Sequence, residues 1–121
     1  MRNLIGEQTV LVTGANAGIG RATSTELARL GARVLMACRD GERGAEAQAA
    51  VSDEVPGART ELLLADLSTA DGVRSLAEQT RQLTDRLDVL VNNAGVFTRK
   101  YTPTADGLET QFAVNHLAPF L

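Results

Sequence analysis

Three glycines, Gly14, Gly18 and Gly20, are spaced Gly-x-x-x-Gly-x-Gly between the apolar run Thr9-Val10-Leu11-Val12-Thr13 and a stretch of helical periodicity. In that place each has a separate use. Gly14 takes the tight turn out of a strand, Gly18 lets the backbone approach a diphosphate, and Gly20 lets the helix pack close to the strand. The free N–H groups and positive dipole end of the helix then face the phosphates. A turn that merely needs glycine is the plainer alternative. Other polar groups also stand at the ends of apolar runs: Arg39 after the second, Asp66 after the third, and Asn92-Asn93 after the fourth.

Positioning these residues requires an alternation of strands and helices. Thr9–Thr13 reads as a buried strand, followed by a helix to Leu30 with Ala22, Thr23, Leu27 and Leu30 on one face and Gly31 as its stop. Arg33–Cys38 is the second strand, and Asp40 caps a second helix over Glu42–Val51. Pro56-Gly57 is a turn and Thr60–Ala65 the third strand. Ser68 or Thr69 caps a third helix carrying Val73, Leu76, Ala77, Thr80 and Leu83 at helical spacing. Leu87–Val91 is the fourth strand, and Thr104 caps a last helix through Phe112 and Val114. Runs that are apolar at nearly every position imply strands covered on both faces, and the alternation makes the sheet parallel with right-handed crossovers. The expected fold class is a doubly wound α/β sheet.

Composition narrows the function classes. The 121 residues amount to one domain at most, with 44% apolar and 22% charged residues, as in ordinary folded domains. A net charge of −3 gives no basic footprint for nucleic acid. No apolar run approaches the ~20 residues of a membrane helix, and Met1–Glu7 has no apolar core of a signal peptide. A cytoplasmic chain without a membrane segment is the expectation. The single cysteine, Cys38, excludes an intrachain disulfide and paired-cysteine zinc sites. It reads as a small strand-end residue, and no metal site is expected.

The run Thr13-Gly14-Ala15-Asn16-Ala17-Gly18-Ile19-Gly20 resembles the fingerprint of the short-chain dehydrogenase/reductase family. Asn92-Asn93-Ala94-Gly95 after the fourth strand, Ala65-Asp66-Leu67 after the third and Phe112-Ala113-Val114-Asn115-His116-Leu117 strengthen the resemblance, in the family's order from Thr9 to Leu121. Ala37-Cys38-Arg39-Asp40 and Asn115-His116-Leu117 most resemble its retinol-dehydrogenase-like branch. The resemblance implies a Rossmann-type sheet in strand order 3-2-1-4, forming the amino-terminal part of one NAD(P)-binding domain whose substrate half lies beyond residue 121. It implies that Asn16, Gly18 and Ile19 line the phosphates and ribose, that Asp66 accepts from the adenine amino group beside the Leu67 backbone, and that Asn93, Ala94 and Gly95 border the adenosine ribose. Asn92 and Asn93 also read as a turn-stabilising pair, and Val114, near the cofactor by resemblance, equally reads as a core valine. A homo-oligomer paired through helices around the Asn115 element is implied as well.

The resemblance also bears on the choice of cofactor. NAD binders carry a carboxylate at the end of the second strand for the ribose 2′-OH. By the family alignment that position is Cys38, and Arg39 follows it. A guanidinium there can hold a 2′-phosphate in a charge-assisted fork, so NADP is expected ahead of NAD. The plainer reading of Arg39 is a solvated charge. Asp40 partly offsets it, and Ala17 stands where some NADP-preferring relatives are basic.

The family's proton donor is a tyrosine followed four residues later by a lysine, aided by a serine and an asparagine. Here the only tyrosine is Tyr101, with Ala105 four residues on, and the only lysine is Lys100. Of that set only Asn115 is matched, and a satisfied structural asparagine is its plainer reading. His116 is assigned no role. Two functions stay open: an oxidoreductase acting on an alcohol or carbonyl, a small lipophilic molecule by resemblance, or a non-catalytic nucleotide-binding or interaction module. A serine and Tyr-x-x-x-Lys within the next ~60 residues would favour the first.

Overall fold

A computed structural model of the chain describes residues 5–95, 103–108, 110, 113–117 and 119. Four strands, β1 (Thr9–Thr13), β2 (Arg33–Cys38), β3 (Arg59–Leu64) and β4 (Val89–Val91), form one parallel sheet in the order β3-β2-β1-β4. Helices α1 (Gly18–Arg29), α2 (Gly41–Glu54) and α3 (Ala70–Leu83) connect them. This is the expected doubly wound, Rossmann-like α/β arrangement.

Alternation of side chains along β1 and β2 divides the core into two layers. Val10, Val12, Val34 and Met36 face Ala28 of α1 and Ala47 and Val51 of α2. Leu11, Leu35, Ala37 and Leu63 face Leu76 of α3. Each fully buried Val or Leu contributes about 1.5–3 kcal/mol of transfer free energy, which is why Val10–Val12 and Val34–Cys38 of these two central strands are apolar. The expectation of two covered faces fails at the margins. Leu64 of β3 and Val89 and Leu90 of β4 are exposed, because each of these strands has a neighbour on one side only.

The buried face of α1 also differs from the expected one. Gly20, Ser24, Thr25 and Ala28 are buried, Leu27 only partly, while Ala22 and Leu30 are exposed. The helix lies too close to the sheet for leucines to point inward. Its hydroxyls can be buried because Ser24 Oγ donates to Gly20 O at 2.9 Å and Thr25 Oγ1 to Arg21 O at 3.0 Å. Gly31, at φ +92°, ends α1 as expected. Its N–H donates to Ala28 O, and Ala32 N to Leu27 O.

Asp40 caps α2 by accepting from Arg43 N at 3.1 Å, and the helix runs three residues beyond the expected Val51. Thr69, not Ser68, caps α3, accepting from Gly72 N at 3.0 Å. Leu76 and Thr80 of α3 are buried, whereas Ala77 is exposed. β4 begins at Val89 rather than Leu87, because Asp88 turns its carboxylate back onto Thr9 N at 2.8 Å and pairs with Arg86. Those contacts, the Thr9 hydrogen bond foremost, hold the Asp88 carboxyl below its ordinary value. Thr104 does not cap a helix directly. Its hydroxyl accepts from Asp106 N and Leu108 N, closing a turn, and the last helical element described is one π-helical turn at Ala113–Leu117. Lys100, Tyr101 and Phe112 lie outside the described residues.

The two margins of the sheet are finished differently. On β3, Gln48 of α2 donates to Thr60 O at 3.3 Å and Gln79 of α3 to Leu64 O at 2.9 Å. Along β4 an apolar trough of about 180 Å³ opens, lined by Leu76, Ala77, Leu87 and Leu90 among others. No helix among the described residues is long and apolar enough to cross a membrane.

Candidate functional site

The carboxyl ends of all four parallel strands open on the same side, where doubly wound sheets bind ligands. A cleft of about 240 Å³ lies there. β1 leads into Gly14 and Asn16, and β2 ends at Cys38 and leads into Arg39. β3 leads into Asp66, Leu67 and Ser68, and β4 into Ala94 and Gly95, with Val114 and Thr110 closing one wall. Residues as far apart in the chain as Gly14 and Gly95 are gathered by parallel pairing, since each strand delivers its following loop to the same end.

The glycine turn is built by close approach. Gly14 has φ +63°, and a Cβ there would stand 2.9 Å from Ala94 Cα. A Cβ on Gly20 would stand 2.1 Å from Gly14 O and 2.6 Å from Asn93 Nδ2. Gly18 differs: its φ is +55° but nothing lies within 4 Å of the Cβ position, so the space before it is open. Ile19 is 77% exposed beside it. The amino end of α1 carries no side-chain cap, unlike α2 and α3. Its first N–H groups therefore have no side-chain acceptor from the cap residue, and its dipole end is one that favours negative charge.

Asn93 joins the two motifs by donating from Nδ2 to Gly14 O at 3.3 Å. Its expected turn-stabilising use is therefore present. Thr13 is a functional position the sequence did not reveal. Its hydroxyl accepts from Asn93 N at 3.0 Å and Ala94 N at 2.9 Å and donates to Val91 O at 3.4 Å. It fastens the end of β1 to the loop after β4, and a strand threonine gives no sequence signal for a partner 80 residues away.

The other end of the cleft holds complementary charge. Asp66 accepts from Ser68 N at 2.9 Å. Its carboxyl is held below the usual carboxylate range, first by hydrogen bonding from Ser68, against some opposition from burial, and with a contribution from the Arg39 charge. It is thus an anionic acceptor at neutral pH. Arg39 is exposed, and no ion pair engages it among the described residues. Cys38 is buried, with its thiol pushed up by burial and then by the Asp40 charge, which keeps it from acting as a thiolate. Val114 is 8% exposed and lines the cleft, so it is both core and wall. Asn115 is exposed and lies beside Gly95, its Oδ1 3.5 Å from where a Gly95 Cβ would be.

The model of the family described as short chain dehydrogenase matches residues 8–121. Retinol dehydrogenase 14 of Mus musculus is 48% identical over 124 residues, covering 94% of this chain and 37% of that protein. Retinol dehydrogenase 14 of Homo sapiens is 49% identical over 127 residues, covering 94% of this chain and 38% of its own length. This chain therefore spans well under half of the curated relatives it matches. Among solved structures, a metagenomic short-chain oxidoreductase in complex with NADP superposes with TM-score 0.79 at 34% identity, covering 97% of this chain and 53% of that one. A short-chain dehydrogenase from Sphingobium yanoikuyae in complex with NADPH gives TM-score 0.76 at 33% identity, covering 92% and 44%. A fold built around the Gly14–Gly20 turn, matched almost end to end by that family model and similar in sequence to retinol dehydrogenases, makes this chain a member of the short-chain dehydrogenase family.

Proposed function

We propose that this chain is the cofactor-binding part of an NADP(H)-dependent oxidoreductase acting on an alcohol or carbonyl compound. Arg39 carries the proposal: an exposed guanidinium directly after Cys38, the last residue of β2, where an NAD binder would carry a carboxylate. The cleft also fits a dinucleotide at its other end, through the open space before Gly18 and the uncapped amino end of α1. Asn16, Gly18 and Ile19 would hold the diphosphate and ribose, Asp66 with the Leu67 backbone the adenine, Asn93 to Gly95 the adenosine ribose, and Arg39 the 2′-phosphate. Bound there, the nicotinamide supplies or accepts a hydride. Val114 excludes water from one wall, and Asn115 stands beside Gly95 to hold a proton relay. The remaining proton-transfer groups and the substrate pocket are assigned to chain beyond residue 121, in keeping with the length of the relatives. The names of those relatives favour a retinoid-like, lipophilic alcohol or aldehyde as substrate.

Arg39→Ala tests the cofactor assignment. Losing a charge-assisted contact of about 1.5–3 kcal/mol should weaken NADPH binding at least tenfold and leave NADH binding nearly unchanged, measured by fluorescence titration of the full-length protein. Equal losses for both nucleotides would overturn it. A second reading, a nucleotide-binding module without turnover, is favoured by one fact of these 121 residues: no tyrosine is followed four positions later by lysine. Turnover of NADPH with a retinoid aldehyde by the full-length protein decides between the two.

A further inference from the structure

Arg39 stands between two anchored residues, and the anchoring runs through a glycine that belongs to no motif. Cys38 ends β2, where its carbonyl accepts from Ala65 N at 3.0 Å. Its Sγ is buried and donates to Asp40 O at 3.4 Å. That same oxygen accepts from Gly44 N at 2.9 Å, while the Asp40 carboxylate accepts from Arg43 N at 3.1 Å. Gly44 is buried in α2. A Cβ on it would lie 2.6 Å from Cys38 Sγ and 2.8 Å from Leu62 Cδ1. The thiol occupies the volume that any larger residue at position 44 would need.

We infer that the packing of Cys38 against Gly44 is a positioning device that fixes where Arg39 stands and so sets the preference for a 2′-phosphorylated nucleotide. The inference rests on the cofactor reading above. Among the described residues no ion pair fixes the Arg39 side chain, although its charge acts on Asp66, so the placement of its backbone governs what the guanidinium can reach. A methyl group at position 44 forces the thiol to rotate away or the amino end of α2 to lift. Either change disturbs the Cys38–Asp40 contact on both sides of Arg39. A guanidinium–phosphate fork is sensitive to such displacement. The diphosphate turn meets β2 upstream of Cys38, where Ala15 N donates to Ala37 O at 3.1 Å, while its Gly14 and Gly20 pack against Asn93 and Ala94, away from Gly44. The effect therefore falls on the choice between nucleotides rather than on dinucleotide binding as such.

The test compares the unsubstituted full-length protein, Gly44→Ala and the double variant Cys38→Ala/Gly44→Ala by titration with NADPH and NADH. In the double variant the new methyl takes the space the sulfur vacates, and Leu62 can turn toward what remains, a nearly volume-conserving exchange. Gly44→Ala should weaken NADPH about tenfold and leave NADH binding in place. The double variant should recover most of the NADPH affinity. Alkylation followed by peptide mass mapping at Cys38 gives a readout independent of nucleotide, slow in the unsubstituted protein and faster in Gly44→Ala. An unchanged NADPH-to-NADH ratio in Gly44→Ala, an equal loss for both, or a double variant as weak as the single one overturns the inference. Failure of the cofactor reading has a different signature: the unsubstituted protein, with Cys38 shielded, binds NADPH no more tightly than NADH, and both claims then fall.

Discussion

One hydroxyl carries much of the site's alignment. Thr13 Oγ1 meets two N–H groups of the Asn93-Ala94 loop and a carbonyl of β4. Asn93 N has a second acceptor in Val91 O, whereas Ala94 N has no other acceptor among the described residues. Thr13→Val keeps the shape and removes the acceptor, so it should cost about 1–3 kcal/mol in urea unfolding and weaken nucleotide binding, with Thr13→Ser restoring both. If Thr13→Val unfolds at the same urea concentration as the parent, the hydroxyl is not the fastener described. At this scale the sequence was legible where residue type is itself the signal. Gly14, Gly20, Asp66 and Arg39 stand at the cleft or its turn as their types require. Thr13 was not legible, because threonine is an ordinary strand residue and its partners come from the far end of the chain.

The elements make a sharper separation between two glycines of one motif. Gly20 is needed for space, since a Cβ would collide with Gly14 O, whereas Gly18 is needed for conformation, with φ +55° and open surroundings. Gly18→Ala should therefore cost about 1–2 kcal/mol from the left-handed backbone. Gly20→Ala should cost about 3 kcal/mol or more from overpacking against rigid backbone, and it should also part β1 from α1. Denaturant unfolding of both variants checks the order, and a larger loss in Gly18→Ala would contradict it. The same close approach explains why the inward face of α1 was misjudged from the sequence. Periodicity weights leucine above serine and glycine, yet a helix pressed onto a sheet has room only for Gly20, Ser24, Thr25 and Ala28. The stops and caps at Gly31, Asp40 and Thr69 were legible because each rests on local hydrogen bonding.

For the whole molecule, the strand order was legible because alternating strands and helices admit few parallel arrangements. The uneven covering of the sheet was not, since a run such as Val89-Leu90-Val91 reads alike in the centre of a sheet and at its margin. Val89 at 38% and Leu90 at 47% exposure, beside the trough under α3, form a margin that favours association. Prepared alone, the 121-residue chain should associate as its concentration rises and bind a hydrophobic dye. It should also turn over no NADPH with a carbonyl compound, because Asn115 supplies no proton. A chain of the relatives' full length should bind the dye far more weakly. Sedimentation and an absorbance assay at the NADPH band check this, and turnover by the 121-residue chain would contradict it.

The glutamines on β3 bear on how the protein is made. Gln48 lies on the helix before β3 and Gln79 on the helix after it, so both groups that bond this flank are synthesised before β4. During synthesis the β3 flank would then already carry bonded carbonyls while the β4 flank, with Val89 and Leu90, stays apolar and open.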